Sequence, residues 1–230
     1  MLGLPSIVAV SLFLFDRVEA ISFGSYKAVT QRKVEQKRTV GSGSRSSDCT
    51  SDWKKDSLTL LIPEEEVVHH TVSDNPTLYV YARQTSSEPL IFNLVSPEAI
   101  DRGNPLFEKQ IVIDKLGVNK ISVPSNISLE NNKLYLWQIG FPCKENFTSV
   151  AKMIKGAIEK TALTEKELEK IENTNSSLGK AKIYASYGIW YDALQTAIEN
   201  ENLGFFELLL EEVNLTEIDL ELKSSTLRNR

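Results

Sequence analysis

From residue 57 to residue 141 the apolar positions recur with a period of two. "SLTLLIP" (57–63) is a short apolar run stopped by Pro63. "PTLYVYAR" (76–83) sets Leu78, Val80 and Ala82 on one face and Tyr79, Tyr81 and Arg83 on the other. "EPLIFNLV" (88–95), "PLFEKQIVID" (105–114) and "NKISVP" (119–124) continue the pattern, and "NKLYLWQIGF" (132–141) opposes Leu134 and Leu136 to Tyr135, Trp137, Ile139 and Phe141. Turn chemistry separates the runs: Ser-Asp-Asn-Pro, Thr-Ser-Ser-Glu-Pro, Arg-Gly-Asn-Pro and Glu-Asn-Asn-Lys. Alternation bounded by such residues predicts half-buried strands, and six or more of them predict an antiparallel, Ig-like β-sandwich.

After about residue 164 the period becomes helical. Thr164 and Glu167 have the spacing of a capping box at the head of "EKELEKIEN". "NTNSSLG" reads as a loop. In "AKIYASYGIWYDALQTAIEN" (181–200) Gly188 interrupts the apolar stripe just before Trp190 and Tyr191. Glycine inside a helix is costly, but at a helix end it takes the left-handed turn position without strain. Two helices are therefore expected, one over about 178–187 and one over about 190–200, with Gly188 at the join. Tyr184, Gly188, Trp190 and Ala193 form the turn and its core, and their spacing is similar to the join of a tetratricopeptide (TPR) repeat. Tyr187 and Tyr191 are the expected exposed contacts. "NLGFFELLLEEV" predicts a third, strongly apolar helix. "TSVAKMIKGAIEKT" (148–161) is ambiguous: its composition favours helix, and Gly156 does not.

The ends change the picture. "LPSIVAVSLFLF" is an apolar run too short to span a bilayer comfortably, and Val18 and Ala20 supply small residues before a cut after Ala20. No Lys or Arg precedes the run, so an uncleaved anchor is the competing reading. Residues 21–47 carry six Lys/Arg against Glu35, whereas the body from residue 48 has 19 basic and 28 acidic residues. Such a tail either is a solvated Ser/Gly linker or folds back on the acidic body. The net charge of −5 gives no reason to expect nucleic acid. In an exported protein Cys49 and Cys143 are expected to pair, closing a loop of 95 residues. Chain entropy makes that cross-link worth about 4 kcal/mol. The alternative is two buried thiols. The organisation is thus a signal peptide over 1–20, a disordered basic linker over 21–48, a β-sandwich over 49–162, a helical unit over 163–222 and a disordered tail over 223–230.

The stretches "GSGSRSSDC", "LTLLIP", "TVSDNPTLYVYA", "NKLYLWQIGFPC", "KGAIEK" and "AKIYASYGIWYDAL" occur in an order that resembles the cyanobacterial domain-of-unknown-function family 928. The resemblance covers roughly residues 41–215. It implies an exported protein with a β-rich domain and a C-terminal helical unit. It also implies that "SVAKMIKGAIEK" is a strand. It brings no activity. The chain departs from the family in a linker with fewer glycines and in a more acidic segment after residue 203.

Chemistry is sparse. His69 and His70 are the only histidines, and as neighbours in extended chain they point to opposite faces, so they do not share a metal easily. Glu64, Glu65 and Glu66 read as an exposed acidic turn leading into a strand. No nucleophile elbow and no Cys-His arrangement occurs. Four glycosylation sequons, at Asn126, Asn146, Asn175 and Asn214, have meaning only in a eukaryotic secretory path. No catalytic residue, metal or cofactor is assigned. The expected function is a periplasmic or secreted binding or scaffolding module. It acts through protein–protein contacts on another exported or membrane-anchored protein. It needs no nucleic acid, and the mature chain has no transmembrane span. The competing reading is an extracytoplasmic polysaccharide hydrolase built from carboxylates that the sequence does not single out.

Overall fold

The computed structural model describes residues 26–28, 32–33, 51–54, 56–100, 104–144, 149–215 and 218. The predicted leader, its exit at Ala20, Cys49 and the C-terminal tail lie outside the described residues.

Among the described residues, eight strands precede the main helices. β1 (Leu58–Leu60), β3 (Thr77–Ala82) and β6 (Gly117–Ser122) form a three-stranded antiparallel sheet in the order β1-β3-β6. β2 (Val68–Thr71), β4 (Ser86–Val95), β5 (Phe107–Ile113), β7 (Leu134–Pro142) and β8 (Val150–Lys160) form the second sheet, in the order β2-β8-β7-β4-β5. A single turn, α1 (Pro97–Ile100), joins β4 to β5. Four longer helices follow: α2 (Glu165–Glu172), α3 (Ser177–Ser186), α4 (Trp190–Glu199) and α5 (Leu203–Glu212). The architecture is α+β with two mostly antiparallel sheets.

The pairing of β2 with β8 departs from the antiparallel expectation, because the two run parallel from Val68 opposite Ala157 to Thr71 opposite Lys160. Strands far apart in sequence are under no hairpin constraint, so either direction is open to them. β2 also escaped the reading of period two. All four of its residues are buried, including His69, His70 and Thr71, so no polar face marks it. β8 is a strand along the whole ambiguous stretch, paired with β7 from Leu134 opposite Glu159 to Pro142 opposite Val150. Gly156 has a packing reason to be there. A Cβ at that point would lie 2.6 Å from the Trp137 Nε1 atom and 3.0 Å from Ile62 Cδ1. The glycine that argues against the strand is thus the residue that lets the Trp137 indole lie flat on β8.

One apolar core runs through both sheets and the helices. It joins Leu78, Val80, Phe92, Trp137 and Ile158 of the sheets to Ala181, Ala185, Trp190, Leu194, Phe206 and Leu209 of the helices. The described residues of the basic tail, 26–28 and 32–33, dock on the body. The Lys27 N–H donates to the Ala185 carbonyl (3.1 Å), and the Val68 N–H donates to the Arg32 carbonyl (3.1 Å). Arg32 is paired with Glu159 at 2.8 Å. An acidic body offers a basic segment such partners, and the partly buried Tyr26 adds apolar contact.

Candidate functional site

The join between α3 and α4 is set by local rules. The Ser176 hydroxyl accepts the Gly179 N–H (3.0 Å) and caps α3. At the other end Gly188 has φ 71°. Its N–H donates to the Ala185 carbonyl (3.0 Å), and the Ile189 N–H reaches back to the Tyr184 carbonyl (2.9 Å). This is the Schellman arrangement, in which a left-handed residue turns the chain so that two terminal carbonyls find donors. The turn delivers Trp190 to the first position of the next helix.

Three consecutive residues of α4 then dock into three parts of the β structure. The Trp190 indole N–H donates to the Leu61 carbonyl just after β1 (2.8 Å). The Tyr191 hydroxyl accepts the Trp137 indole N–H (2.9 Å) and donates to the Ala157 carbonyl (3.1 Å), bridging β7 and β8. The Asp192 carboxylate accepts the Thr71 hydroxyl (2.8 Å) and the Val72 N–H (3.1 Å) at the end of β2. Ala193, with no exposed surface, follows in the core. Trp190 is fully buried, and Tyr191 is 2% exposed.

The expectation that Tyr191 is a surface contact is therefore corrected. A hydroxyl with both a donor and an acceptor waiting in the interior is as well satisfied there as in water, so the ring is free to bury. Burial raises the Tyr191 and Tyr26 phenols above their ordinary range. Tyr184 is half-buried, its phenol raised by burial and then by the Asp192 charge.

Asp192 is the residue that sequence reasoning missed. An acid in the first turn of a helix reads as a partner for the helix dipole. Nothing local says that it is buried. Burial pushes its carboxyl up to about 6, against the opposing hydrogen bonds from Thr71 and Val72.

His69 and His70 do face opposite ways, and both are buried. His69 Nε2 lies 2.8 Å from the Glu64 carbonyl, which only accepts, so Nε2 carries the proton. Nδ1 is then the acceptor for the Tyr26 hydroxyl at 3.4 Å. Burial pushes this imidazole down to about 4, partly offset by the bond to Glu64. Glu64, Glu65 and Glu66 are exposed. Among the described residues no group of three or more His, Cys, Asp or Glu side chains is gathered to hold a metal.

What remains of the aromatic surface is Tyr187. It is half-buried at the end of α3, with the Lys170 ammonium 5.5 Å from its ring centre. It lines an open groove of about 660 Å³ with Lys166, Glu167, Glu169, Lys170, Asn173 and Thr174 of the α2 region. The groove wall is held by the capping box read from the sequence. The Thr164 hydroxyl accepts the Glu167 N–H (3.3 Å), and the Glu167 carboxylate accepts the Thr164 N–H (2.8 Å). That engagement lowers the Glu167 carboxyl. Leu168 and Leu178 stand exposed on the same two helices, at 46% and 36%. Cys143 is buried at the end of β7, and no cysteine is free among the described residues.

The model of one family, the Domain of Unknown Function DUF928, matches residues 40–221. The chain belongs to this family. Its description assigns no activity. No curated protein matches the chain. Among solved structures, an engineered protein superposes with a TM-score of 0.29 and 10% identity, over 46% of this chain and 20% of that one. Astrotactin-2, described as a conserved vertebrate-specific and perforin-like membrane protein involved in neuronal development, gives a TM-score of 0.32 and 13% identity, over 74% of this chain and 38% of its own. The chain thus spans about a fifth and about two fifths of those two structures, and neither superposition is close enough to carry an argument. Among the described residues no helix is long and apolar enough to cross a membrane.

Proposed function

We propose that this DUF928 domain is a protein-binding module whose contact surface is the α2–α3 face. The observation that carries the reading is the groove at Tyr187: an aromatic ring already met by a lysine, with exposed leucines on both adjoining helices. Tyrosine is among the residues enriched at the hot spots that dominate binding energy at interfaces. The groove carries Lys166 and Lys170, the latter over the Tyr187 ring, beside Glu169, while Glu167 is spent on the helix cap. It suits a partner segment that presents an apolar side chain next to a carboxylate.

The reading takes the protein as exported, cut after Ala20, with Cys49 bonded to Cys143 and a partner that is itself exported or membrane-anchored. It treats the two sheets as an Ig-like scaffold and α3–α4 as a TPR-like hairpin presented on it. N-terminal sequencing that returns Ile21, and an unreduced intact mass two hydrogens lighter than the reduced one, are the expected results.

The binding claim is tested with a photo-crosslinking residue at position 187 in the full chain. The crosslinked species, once identified and purified, is expected to bind the wild-type protein and to lose at least tenfold in affinity on Tyr187→Ala or Lys170→Glu, with the melting temperature unchanged. Undiminished affinity in both variants overturns the reading.

A further inference from the structure

The edge of β2 that faces away from β8 is covered by described residues of the chain's own N-terminal segment, 26–28 and 32–33. β2 pairs with β8 on one side only. Along its other side Lys33 makes an antiparallel bridge to Val67, and the Val68 N–H is taken by the Arg32 carbonyl. Six residues earlier, Tyr26 packs on the main core with its ring edge-on to Trp190, centroids 5.0 Å apart, and its hydroxyl at His69. Its N–H is taken by Glu212 at 2.6 Å.

Each contact specifies a property of the occupant. The strand edge reads extended backbone and no sequence. The Trp190–His69 wall asks for an aromatic ring with a hydroxyl at its tip. Glu159 takes Arg32, and Glu64 lies 4.0 Å from Lys33, so the far end asks for positive charge. Glu212 stands in the last turn of α5, where a carboxylate opposes the helix dipole and no basic residue offsets it. The backbone N–H of the occupant relieves that conflict.

We propose that this strand edge, with the Trp190–His69 wall, is a binding site for an extended segment of another protein, bearing a tyrosine followed six and seven residues later by basic side chains. The chain's own Tyr26 and Arg32–Lys33 hold that site in cis. The basic end of the occupant is the lightly held part. Its cations are exposed, Arg32 at 57% and Lys33 at 68%, and such pairs add little. Tyr26 is the aromatic anchor among the segment's described residues. The occupying residues also lie upstream of residue 40, where the family match begins, whereas β2, β8, α4 and Glu212 lie inside it. The edge belongs to the family domain, and the segment covering it lies outside the matched residues. This site is separate from the Tyr187 groove, and either stands without the other.

The test uses the full chain and a fluorescent peptide of residues 24–35. Tyr26→Ala with Arg32→Ala loosens the internal segment, and anisotropy reads peptide binding. Binding to the loosened chain is expected to be at least tenfold tighter than to the wild type. It should be abolished by a Tyr-to-Ala change in the peptide and weakened by Glu159→Lys in the protein. Should the double variant fold poorly, Arg32→Glu alone keeps Tyr26 and should give the same ordering with a smaller ratio. Equal binding to wild type and loosened chains, or none to a loosened chain with native circular dichroism, overturns the proposal. So does a concentration-dependent wild-type dimer that Tyr26→Ala abolishes, because the occupant would then be a second copy.

Discussion

The Trp137 indole N–H donates to the Tyr191 hydroxyl at 2.9 Å, across 54 residues of sequence and from the centre of a sheet to the first turn of a helix. The hydroxyl passes the bond on to the Ala157 carbonyl. Two large rings meet in the interior with every polar atom of the pair satisfied, which makes the helical unit part of the sheet's core rather than an appendage.

Tyr191→Phe keeps the ring and removes only that relay. It strands a buried indole N–H and a carbonyl lone pair, at about 1–3 kcal/mol. The melting temperature should fall by several degrees. Trp137→Phe should cost much less in the Tyr191→Phe background than alone, and a double-mutant cycle measures the coupling. An additive cycle would refute the relay.

Gly188 is at φ 71°, where a Cβ meets the following carbonyl. Gly188→Ala should destabilise the protein by about 1 kcal/mol or more. Were the stretch one straight helix, the same change would stabilise it. Thermal melts read the sign directly.

Asp192 makes stability depend on pH. Its carboxyl is raised to about 6 in the fold, against about 3.9 in the unfolded chain. Between those values the native state holds the extra proton, so this group's contribution falls as pH rises from about 4 to about 6 and is flat above. The difference amounts to about 3 kcal/mol. Asp192→Asn should remove that slope, and urea titrations from pH 4 to 8 of both proteins check it. Identical slopes would count against the burial of the charge.

Thr164→Ala removes one half of the capping box and should cost about 1 kcal/mol. Because Glu167, Lys166 and Lys170 line the Tyr187 groove from this helix, the same change should also raise hydrogen exchange across residues 165–172 before it is felt in the sheets. Uniform exchange changes over the whole chain would say instead that α2 is not a separable unit.

Much of the architecture is local and was legible in the sequence. Period-two alternation marks β1, β3, β4, β5, β6 and β7, although β3 is buried along its whole length and β7 nearly so, so that in those two strands the half-buried expectation is corrected: both faces are covered. The Thr164–Glu167 spacing and Gly188 mark helix ends, because backbone groups there need partners within three or four residues. What failed locally was decided by neighbours distant in sequence. β2 carries two histidines and no alternation, and becomes a strand only because β8 pairs with it and because Tyr26 and Glu64 satisfy His69. Gly156 reads as a breaker until Trp137 lies across it. Tyr191 reads as an exposed contact and Asp192 carries no local sign of burial, and both are interior because Trp137, Ala157, Thr71 and Val72 supply the hydrogen bonds that polar atoms need to leave water. The sequence by itself determined where the chain alternates, coils and turns, since those patterns are written within a few residues. Which polar groups are buried, and hence which aromatic is left at the surface, was decided only by the tertiary structure, since the cost of burial is cancelled by partners that no local window contains.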